Sequence, residues 1–315
     1  MINLTMLGTG GGTPIPERHL SSCMMNYEGR NILIDAGEGT QISMRKLHTG
    51  FRAMDIIFLT HFHGDHIFGL PGLLSTMKNS GRVKPVTIVG PEGLEKIINS
   101  MIILIGSLDF DLNLIEDPKA SLYFSLSDGI IKQARKEAEH DFKVSTMYLD
   151  HSRPCFAYSF YFPRNPEFHP KRAIEKGIPK KFWSELQTGE EVEEDGYTYK
   201  PEMVLGEERA GIKFSYVTDT RPIEGIKEFV KGSDLLIAEG TYGKDEHREK
   251  AKEYYHMTFK EAARLARDSG VGRLLLTHFS VRMEVPKEFK ENAREVFKET
   301  IIGYDGYKTS LSYKD

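Results

Sequence analysis

The chain has 315 residues, of which 39% are hydrophobic and 28% are charged, and its formal net charge is -4 at pH 7. A chain of this length can bury a sizeable core, and its slight negative charge excludes nucleic-acid binding through overall basicity. Any RNA contact is expected from local basic patches or from metal ions. Two cysteines, Cys23 and Cys155, are too few for a disulfide framework. With no signal-peptide pattern and no membrane-length apolar run, the sequence predicts a soluble, cytoplasmic protein.

The N-terminal part of the chain shows strand patterns followed by a helix pattern. Strands are predicted over residues 2–7, 21–26, 31–35 and 55–59, and a helix over residues 35–47. The glycine-rich loop after the first strand could suggest a dinucleotide fold. It lacks the G-x-G-x-x-G spacing, however, and Pro14 and Pro16 prevent a helix from following it.

The stretch from Thr60 to His66, Thr-His-Phe-His-Gly-Asp-His, concentrates metal-competent side chains at the end of a predicted strand. In a loop leaving a strand, His61 and His63 can share one ion, while Asp65 and His66 diverge toward a second ion about 3.5–4 Å away. Imidazole with a few carboxylates favours Zn2+, although Mn2+ or another divalent ion could use the same ligands. A chance cluster of surface histidines is the alternative, but the H-x-H-x-D-H pattern between an apolar strand and a glycine-rich turn disfavours it.

Asp35 closes the third predicted strand and precedes the first predicted helix. Its carboxylate could orient a metal-bound histidine, or it could cap the helix. The sequence leaves both interpretations open.

The rest of the chain alternates helices and strands, which predicts an α/β fold. Helices are predicted over residues 70–77, from 93 to about 103, over 128–140, from about 246 through the Tyr255-His256-Met257-Thr258 stretch, and over 259–269. Strands are predicted over residues 86–89, 108–114, 142–149, 158–162, 212–217, 235–238 and 274–276. Five strand ends are followed by polar residues, which predicts a site along one edge of packed sheets: the His61 stretch, His151, Asp219, Glu239 and His278.

Residues 163–208 differ from their surroundings in being rich in proline and charge, with an acidic run over residues 190–195. We predict a projecting arm inserted into a single domain of residues 1–315. Phe182 and Trp183 lie among basic residues, a mixture that can hold a phosphate backbone and stack a base. Those basic residues are Lys171, Arg172, Lys176, Lys180 and Lys181. A solvated protrusion or a dimer contact is the alternative.

The series His61, His63, Asp65 and His66, followed by His151, Asp219 and His278, resembles the ligand set of metallo-β-lactamase-fold phosphodiesterases. Three further stretches resemble the ribonuclease Z family, endonucleases that trim the 3′ trailer from precursor tRNA. They are Asp35-Ala36-Gly37-Glu38-Gly39-Thr40-Gln41, Glu239 with His256-Met257-Thr258, and His278-Phe279-Ser280-Val281-Arg282.

The resemblance covers nearly the whole chain. It implies a metallo-β-lactamase-like four-layer αβ/βα sandwich with a projecting arm, two Zn2+ per chain, a homodimer, and precursor tRNA as the RNA substrate. It also implies that the arm over residues 163–208 is a candidate tRNA exosite. The Gly-Pro pair that the family's arm often carries near its tip is absent here.

The chemistry of two-metal phosphodiester hydrolysis suggests roles for individual residues. Asp65 is expected to be a metal ligand and the general base for a water between the ions. His256, supported by Glu239, is expected to protonate the leaving 3′-oxygen, because a carboxylate favours the protonated imidazole. Arg282 is expected to clamp a phosphate bidentately. Purely structural roles for Glu239, His256 and Arg282 are the alternative.

The leading hypothesis is a zinc-dependent endoribonuclease that hydrolyses a phosphodiester at the 3′ end of precursor tRNA. The alternative is a di-zinc phosphodiesterase acting on small or cyclic nucleotide esters. The arm and the Glu239/His256 pair favour a polymeric substrate, whereas the missing Gly-Pro tip and the negative charge favour a small one. A non-catalytic RNA-binding module is a third reading, which the intact ligand series disfavours.

Overall fold

The computed structural model describes residues 1–134 and 140–314. The strands, in chain order, are β1 (Ile2–Gly8), β2 (Gly10–Gly11), β3 (Ser22–Tyr27), β4 (Arg30–Ile34), β5 (Met54–Phe58), β6 (Val86–Gly90), β7 (Leu112–Glu116), β8 (Leu122–Ser127), β9 (Ile130–Gln133), β10 (Phe142–Tyr148), β11 (Phe156–Arg164), β12 (Val192–Glu194), β13 (Tyr197–Tyr199), β14 (Arg209–Val217), β15 (Leu235–Glu239), β16 (Leu274–Thr277), β17 (Phe279–Ser280), β18 (Thr300–Ile302) and β19 (Lys308–Leu311).

The α-helices, in chain order, are α1 (Thr40–Lys46), α2 (Gly64–Ile67), α3 (Leu70–Asn79), α4 (Leu94–Ile105), α5 (Pro170–Glu175), α6 (Trp183–Thr188), α7 (Glu224–Val230), α8 (Arg248–Glu253), α9 (Phe259–Asp268) and α10 (Lys290–Arg294). Short 3-10 helices cover Lys180–Phe182, Pro201–Met203, Asp245–His247 and Pro286–Phe289. Within the described residues, no helix has both the length and the apolar character needed to cross a membrane.

Two mixed sheets form the centre of the larger compact unit, which comprises residues 1–161 and 213–312. The first sheet has the strand order β19-β1-β3-β4-β5-β6-β7, and the second has the order β18-β16-β15-β14-β11-β10-β8-β9. Aromatic rings fill the space between the sheets: Phe58 of β5 lies 5.0 Å from Tyr158 and 5.2 Å from Phe160 of β11, measured between ring centroids. Such aromatic pairs add to the free energy gained from burying the rings.

Helices cover the outer face of each sheet. Leu73 of α3 and Ile98 of α4 pack with strand residues of the first sheet, and Ile226 of α7 and Ala262 of α9 pack with those of the second. The order of layers is helix, sheet, sheet, helix, which is the predicted four-layer αβ/βα sandwich.

Parallel strand pairing brings polar strand ends to one edge of the sandwich. In the first sheet β4, β5 and β6 run parallel, and in the second sheet β14, β15 and β16 do so. The register pairs Val217 with Ala238 and Glu239 with Thr277. The strands β14, β15 and β16 therefore end side by side, and the residues that follow them lie next to one another at the same edge of the sheet. Carboxyl ends of neighbouring parallel strands are where α/β folds build their sites.

Two predicted elements are wrong in part. The strand predicted over residues 108–114 begins only at Leu112, where pairing with Val86 of β6 starts, although the acids Asp109 and Asp111 are exposed as expected. The helix predicted over residues 128–140 is replaced at its start by β9. Asp128 and Gly129 form a two-residue turn with φ of 55° and 70°, the Asp-Gly hairpin signature. Residues 135–139 of that prediction lie outside the described residues.

The helix predicted to carry residues 255–258 is also wrong, because α8 ends at Glu253. Tyr255 has a φ of 60°, a left-handed conformation that a helix cannot contain. His256 therefore lies in a short loop between α8 and α9, where Thr258 caps α9 in a capping box with Glu261.

The smaller compact unit comprises residues 162–212 together with residues 313–314. Its own hydrophobic cluster is built on Ala173, Ile178, Leu186 and Val204. Phe182 and Trp183 pack against this cluster, and the Trp183 indole N–H donates to the Ile178 carbonyl at 3.1 Å. Both rings therefore help to hold the arm together while each stays partly exposed, and base stacking by them stays a prediction. The five predicted basic side chains of the arm are all exposed.

Candidate metal centre

Seven side chains from both sheets converge at the carboxyl ends of the strands and form two groups that share Asp219. The first group consists of His61, His63, His151 and Asp219, with candidate ligand atoms within 4.8 Å of one another. His63 Nδ1 lies 3.0 Å from His61 Nε2 and 3.1 Å from His151 Nε2. Asp219 Oδ2 lies 3.5 Å from His61 Nε2, so three imidazoles and a carboxylate face one point.

The second group consists of Asp65, His66, Asp219 and His278. His278 Nε2 lies 3.1 Å from Asp219 Oδ1 and 3.3 Å from Asp65 Oδ2. His66 Nε2 lies 3.5 Å from Asp219 Oδ2. The Asp219 carboxylate therefore faces both groups and would be available to a cation held by either one.

The residues present fit a divalent metal. His66 Nε2 is buried and has no hydrogen-bond partner, and a buried nitrogen left without a partner is costly unless something binds it. Asp35, Asp65 and Asp219 surround the buried His66 and raise its pKa well above the usual value, outweighing burial, which lowers it. A cation at this point would replace that proton and neutralise the carboxylates.

Burial acts differently on the first group. Burial and the neighbouring His66 lower the pKa of His61 well below its usual value, and burial lowers the pKa of His151 to about 4. Both imidazoles are therefore neutral at pH 7 and keep the lone pair that a metal ligand needs. Nearby His278 and His66 hold the pKa of Asp219 well below its usual range despite burial, so Asp219 stays ionised.

The imidazoles are oriented by partners behind them. Asp35 Oδ2 lies 2.7 Å from His66 Nδ1, and Asp35 also accepts from the backbone N–H of Thr60 at 2.8 Å. Thr241 Oγ1 lies 3.0 Å from His278 Nδ1. The N-cap of α1 is Gly39 and not Asp35, so the structure favours the orienting role for Asp35 over helix capping.

Three of these strand-end residues have left-handed backbones. Asp35, Asp219 and His278 have φ of 59°, 40° and 58°. Residues other than glycine rarely adopt this conformation, because it is strained. It persists only where the surrounding contacts stabilise it, and such residues concentrate at functional sites. Asp219 and His278 line the cleft, whereas Asp35 lies behind it and contacts His66.

The glycine-rich loop after β1 closes the cleft from the other side. A Cβ on Gly11 would lie 2.3 Å from His278 Cε1, so only glycine lets the loop pass the imidazole. The Gly12 N–H donates to Asp65 Oδ2 at 2.6 Å. This loop, which shows no dinucleotide spacing, contributes to the candidate metal centre.

Glu239 and His256 lie beside the second group. Glu239 is fully buried, and its Oε1 lies 3.1 Å from His256 Nδ1. Its carboxylate also accepts from the Thr220 N–H, the Met257 N–H and the Thr241 hydroxyl. Burial disfavours the charged imidazole, but Glu239 outweighs it and raises the pKa of His256 to about 9. His256 is therefore a cation at neutral pH that can give up a proton.

Arg221 ties the strand end that carries Asp219 to the loop that carries His256. Its guanidinium donates to the His256 carbonyl and makes two bonds to Glu261, at 2.5 and 3.0 Å. Glu261 is buried and also accepts from the Thr258 N–H in the capping box. The loop position thus depends on a charged network anchored two residues from Asp219.

Arg282 is exposed and lies in a pocket beside the metal cleft. The metal cleft, about 440 Å³ in volume, is lined by residues that include His63, Asp65, His256 and His278. The two cavities share Thr241, Tyr242 and Ser280. The structure therefore groups the seven predicted ligands with Glu239 and His256, and it places Arg282 next to them.

Sequence reasoning missed several residues that support the site. They are Thr60, Thr241, Gly11, Gly12 and Arg221. Each stands within two residues of a predicted ligand or acid, or in the glycine-rich loop. Adjacency to a motif was the available signal, but it does not say where a side chain points.

Comparisons with known proteins show which families this chain resembles. A family model described as "Anti-Pycsar protein Apyc1" matches residues 2–171, and one described as "Beta-lactamase superfamily domain" matches residues 203–279. Ribonuclease Z of Alkaliphilus oremlandii (strain OhILAs) is 50% identical, with 100% of both chains covered. Ribonuclease Z of Clostridium beijerinckii is also 50% identical, again over 100% of both chains. The crystal structure of the short form of human tRNase Z has 27% identity and a TM-score of 0.67, covering 98% of this chain and 99% of that one.

The fold and the site define a metal-dependent hydrolase with the metallo-β-lactamase fold. Within that class, the chain belongs to the ribonuclease Z family. The predicted family, fold and class of activity, a metal-dependent endoribonuclease, are confirmed.

Proposed function

We propose that the protein hydrolyses a phosphodiester at the 3′ end of precursor tRNA and so removes the 3′ trailer. One observation carries the proposal: two groups of candidate ligands share Asp219 and lie beside the Glu239/His256 pair. The relatives that match this chain over its full length at about half identity are ribonucleases Z, and the similar human structure is a tRNase Z.

The residues we propose as ligands are His61, His63, Asp65, His66, His151, Asp219 and His278, and they would hold two Zn2+ per chain. Imidazole nitrogens with a few carboxylate oxygens are the donors zinc prefers, although Mn2+ or another divalent ion suits the same set. When bound, the ions lower the pKa of a water molecule toward neutrality and stabilise charge on the phosphoryl oxygens. The remaining tasks belong to the chain's own side chains.

Asp65 is proposed as the group that orients the attacking water and accepts its proton. It lies at the mouth of the second group, where the Gly12 N–H fixes one carboxylate oxygen. His256 is proposed to donate a proton to the leaving 3′-oxygen. Glu239 supports this role because it accepts from one imidazole nitrogen and stabilises the cation. Arg282 is proposed to hold a phosphate of the substrate.

The arm over residues 163–208 is proposed to grip the tRNA outside the active site. Its exposed basic residues, which begin at Lys171, can contact phosphates without reading sequence.

We further propose that the protein is a cytoplasmic homodimer, as the resemblance implies. Analytical ultracentrifugation of the purified protein would test the dimer: a single species at twice the 35.8 kDa chain mass is expected, and a pure monomer would contradict it.

The test of function uses purified protein with a labelled precursor tRNA and, separately, with bis(p-nitrophenyl) phosphate. Cleavage of the precursor at the trailer junction is expected, with loss of both activities in a chelator and recovery on adding Zn2+. Cleavage of the small ester alone would favour a phosphodiesterase of small or cyclic nucleotides. Metal analysis that finds about two zinc ions per active chain supports the proposed ligand set, and a metal-free active protein would overturn it.

A further inference from the structure

A second pocket adjoins the metal cleft and has different chemistry. It has a volume of about 240 Å³ and shares Thr241, Tyr242 and Ser280 with the cleft. Its other walls come from the segment after β15, from α8, and from the chain between β17 and α10. The remaining lining residues are Gly243, Lys244, His247, Lys250, Arg282, Met283 and Phe289.

The charge of this pocket has one sign. Its charged lining residues are Lys244, Lys250 and Arg282, and none of its lining residues is acidic. Lys244 pairs with the exposed Glu246 at 3.1 Å. Among the described residues, neither Lys250 nor Arg282 has a carboxylate partner within ion-pair distance. Unpaired cations that face a small cavity attract an anion, and guanidinium and ammonium groups suit a phosphate.

The apolar part of the pocket is built from aromatic rings. Tyr242 and Phe289 line it together with Met283. The Phe289 ring is seated directly on Gly243, where a Cβ would lie 2.5 Å from Phe289 Cγ, and Asn292 donates to the Gly243 carbonyl at 2.6 Å. One aromatic wall is therefore held in place without a ligand. Aromatic walls combined with cations are the means by which proteins hold single-stranded nucleotides.

The position of the pocket relates it to the reacting bond. The Tyr242 ring lies between His256 and His247, with centroid separations of 6.5 and 5.9 Å. Thr241, another shared wall, donates to Glu239 at 2.6 Å. The pocket therefore opens on the side of the Glu239/His256 pair, which is the side of the leaving 3′-oxygen in the proposed function.

We propose that this pocket binds one unpaired nucleotide of the RNA, the nucleotide that carries the leaving 3′-oxygen. Its 5′-phosphate would lie against Lys250 and Arg282, and its base against Tyr242 and Phe289. The assignment of the leaving side rests on the proposed function, whereas binding of a nucleotide does not. A nucleoside 5′-monophosphate reproduces this nucleotide after cleavage, so AMP is the probe.

The binding test is calorimetric titration of the metal-loaded protein with AMP and with inorganic phosphate. AMP is expected to bind more tightly than phosphate, and Lys250→Glu and Phe289→Ala are each expected to weaken AMP binding about tenfold. Lys287→Glu makes the same charge change at an exposed position that does not line the pocket, and it should leave the AMP affinity near that of the parent protein. Equal affinity of AMP for the parent, Lys250→Glu and Phe289→Ala proteins would overturn the pocket.

A kinetic test then separates this proposal from the proposed function. For precursor tRNA, Lys250→Glu and Phe289→Ala should raise KM several-fold, and each should lose more activity on the RNA than on bis(p-nitrophenyl) phosphate. Losses no greater than those of Lys287→Glu would overturn the nucleotide site even if the RNA is cleaved. If the RNA is not cleaved but AMP binding depends on Lys250, the result supports the nucleotide-binding pocket and contradicts the proposed function.

Discussion

Glu239 shows how one buried residue can combine support of the fold with chemistry. Both carboxylate oxygens accept hydrogen bonds, from the backbone of Thr220 and Met257 and from the side chains of Thr241 and His256. A buried carboxylate needs several such donors to stay charged. The charge it keeps is what raises the pKa of His256.

Glu239→Gln should move the alkaline limb of the pH–rate profile to lower pH. His256 acts as an acid and must be protonated, so activity is present below its pKa and is lost as pH rises through it. Removing the Glu239 charge lowers that pKa, so activity is lost at a lower pH than in the parent protein. The measurement is kcat for precursor tRNA between pH 6 and about 10.

Glu253→Gln is the matched control, because Glu253 is an exposed carboxylate that lines the same cleft. Its alkaline limb should coincide with that of the parent. An unshifted limb in a folded, metal-loaded Glu239→Gln protein would argue that His256 is not the proton donor.

Much of the site could be predicted residue by residue because each predicted ligand follows an apolar strand. His61 follows a strand of the first sheet, whereas His151 and His278 follow strands of the second, so their convergence also required the packing of the two sheets that the family resemblance implied. Whether these residues bind metal stays a prediction. The roles of Thr241 and Gly11 could not be foreseen, because they depend on contacts with His278, which lies far away in the sequence.

At the scale of single elements, the loop between α8 and α9 carries His256 and is held by its neighbours. Arg221 donates to the His256 carbonyl and pairs with Glu261, and Glu261 in turn bonds to the capping residue Thr258. The sequence predicted a helix that carries residues 255–258, followed by a second helix from Phe259. The left-handed Tyr255 cannot belong to a helix, and the capping box of Thr258 marks the start of α9. His256 therefore lies in a loop between the two helices, where it lines the cleft.

Arg221→Ala should lower kcat about tenfold or more with little change in KM, because a small displacement of an acid group is costly to catalysis. Arg221→Lys keeps the charge and should restore part of the rate. Arg248→Ala is the control: Arg248 also bonds to Glu261, at 3.1 Å, but makes no bond to the His256 carbonyl. If Arg221→Ala and Arg248→Ala lose kcat equally, measured well below the Tm of each variant, Arg221 would only stabilise the fold and would not position His256.

At the scale of the whole molecule, local pattern predicted the α/β class and the family resemblance implied the four layers, but neither predicted the edges of the sheets. The strands β18 and β19 were not predicted, because they are short and half exposed, and only pairing with β16 and β1 makes them strands. Such non-local pairing leaves little trace in a short sequence window. The change in composition predicted an arm over residues 163–208, and the smaller compact unit covers residues 162–212. The packing of its aromatic residues could not be predicted from the sequence.

Charge divides the arm along its length. Its basic residues Lys171, Lys176 and Lys180 are exposed at or near α5, while an acidic run follows at residues 190–195. The strands β12 and β13 form a hairpin in the arm. Two lysines of the arm are paired with glutamates in or next to this hairpin, Lys181 with Glu194 and Lys200 with Glu191. Contact with RNA phosphates is therefore expected from the exposed lysines at and near α5, and not from the hairpin.

Reversing Lys171, Lys176 and Lys180 to Glu should weaken precursor tRNA cleavage far more than hydrolysis of bis(p-nitrophenyl) phosphate. Each lost phosphate contact should also reduce the slope of log kcat/KM against log salt by about 0.7 to 0.9. Deleting residues 163–208 should give the same selective loss, and a short turn can replace them because β11 and β14 are neighbours in the sheet. Lys200→Glu, a charge reversal in the hairpin, should cost little by comparison. If the triple reversal reduced cleavage of both substrates equally, or left the salt slope unchanged, the arm would not be the element that grips tRNA.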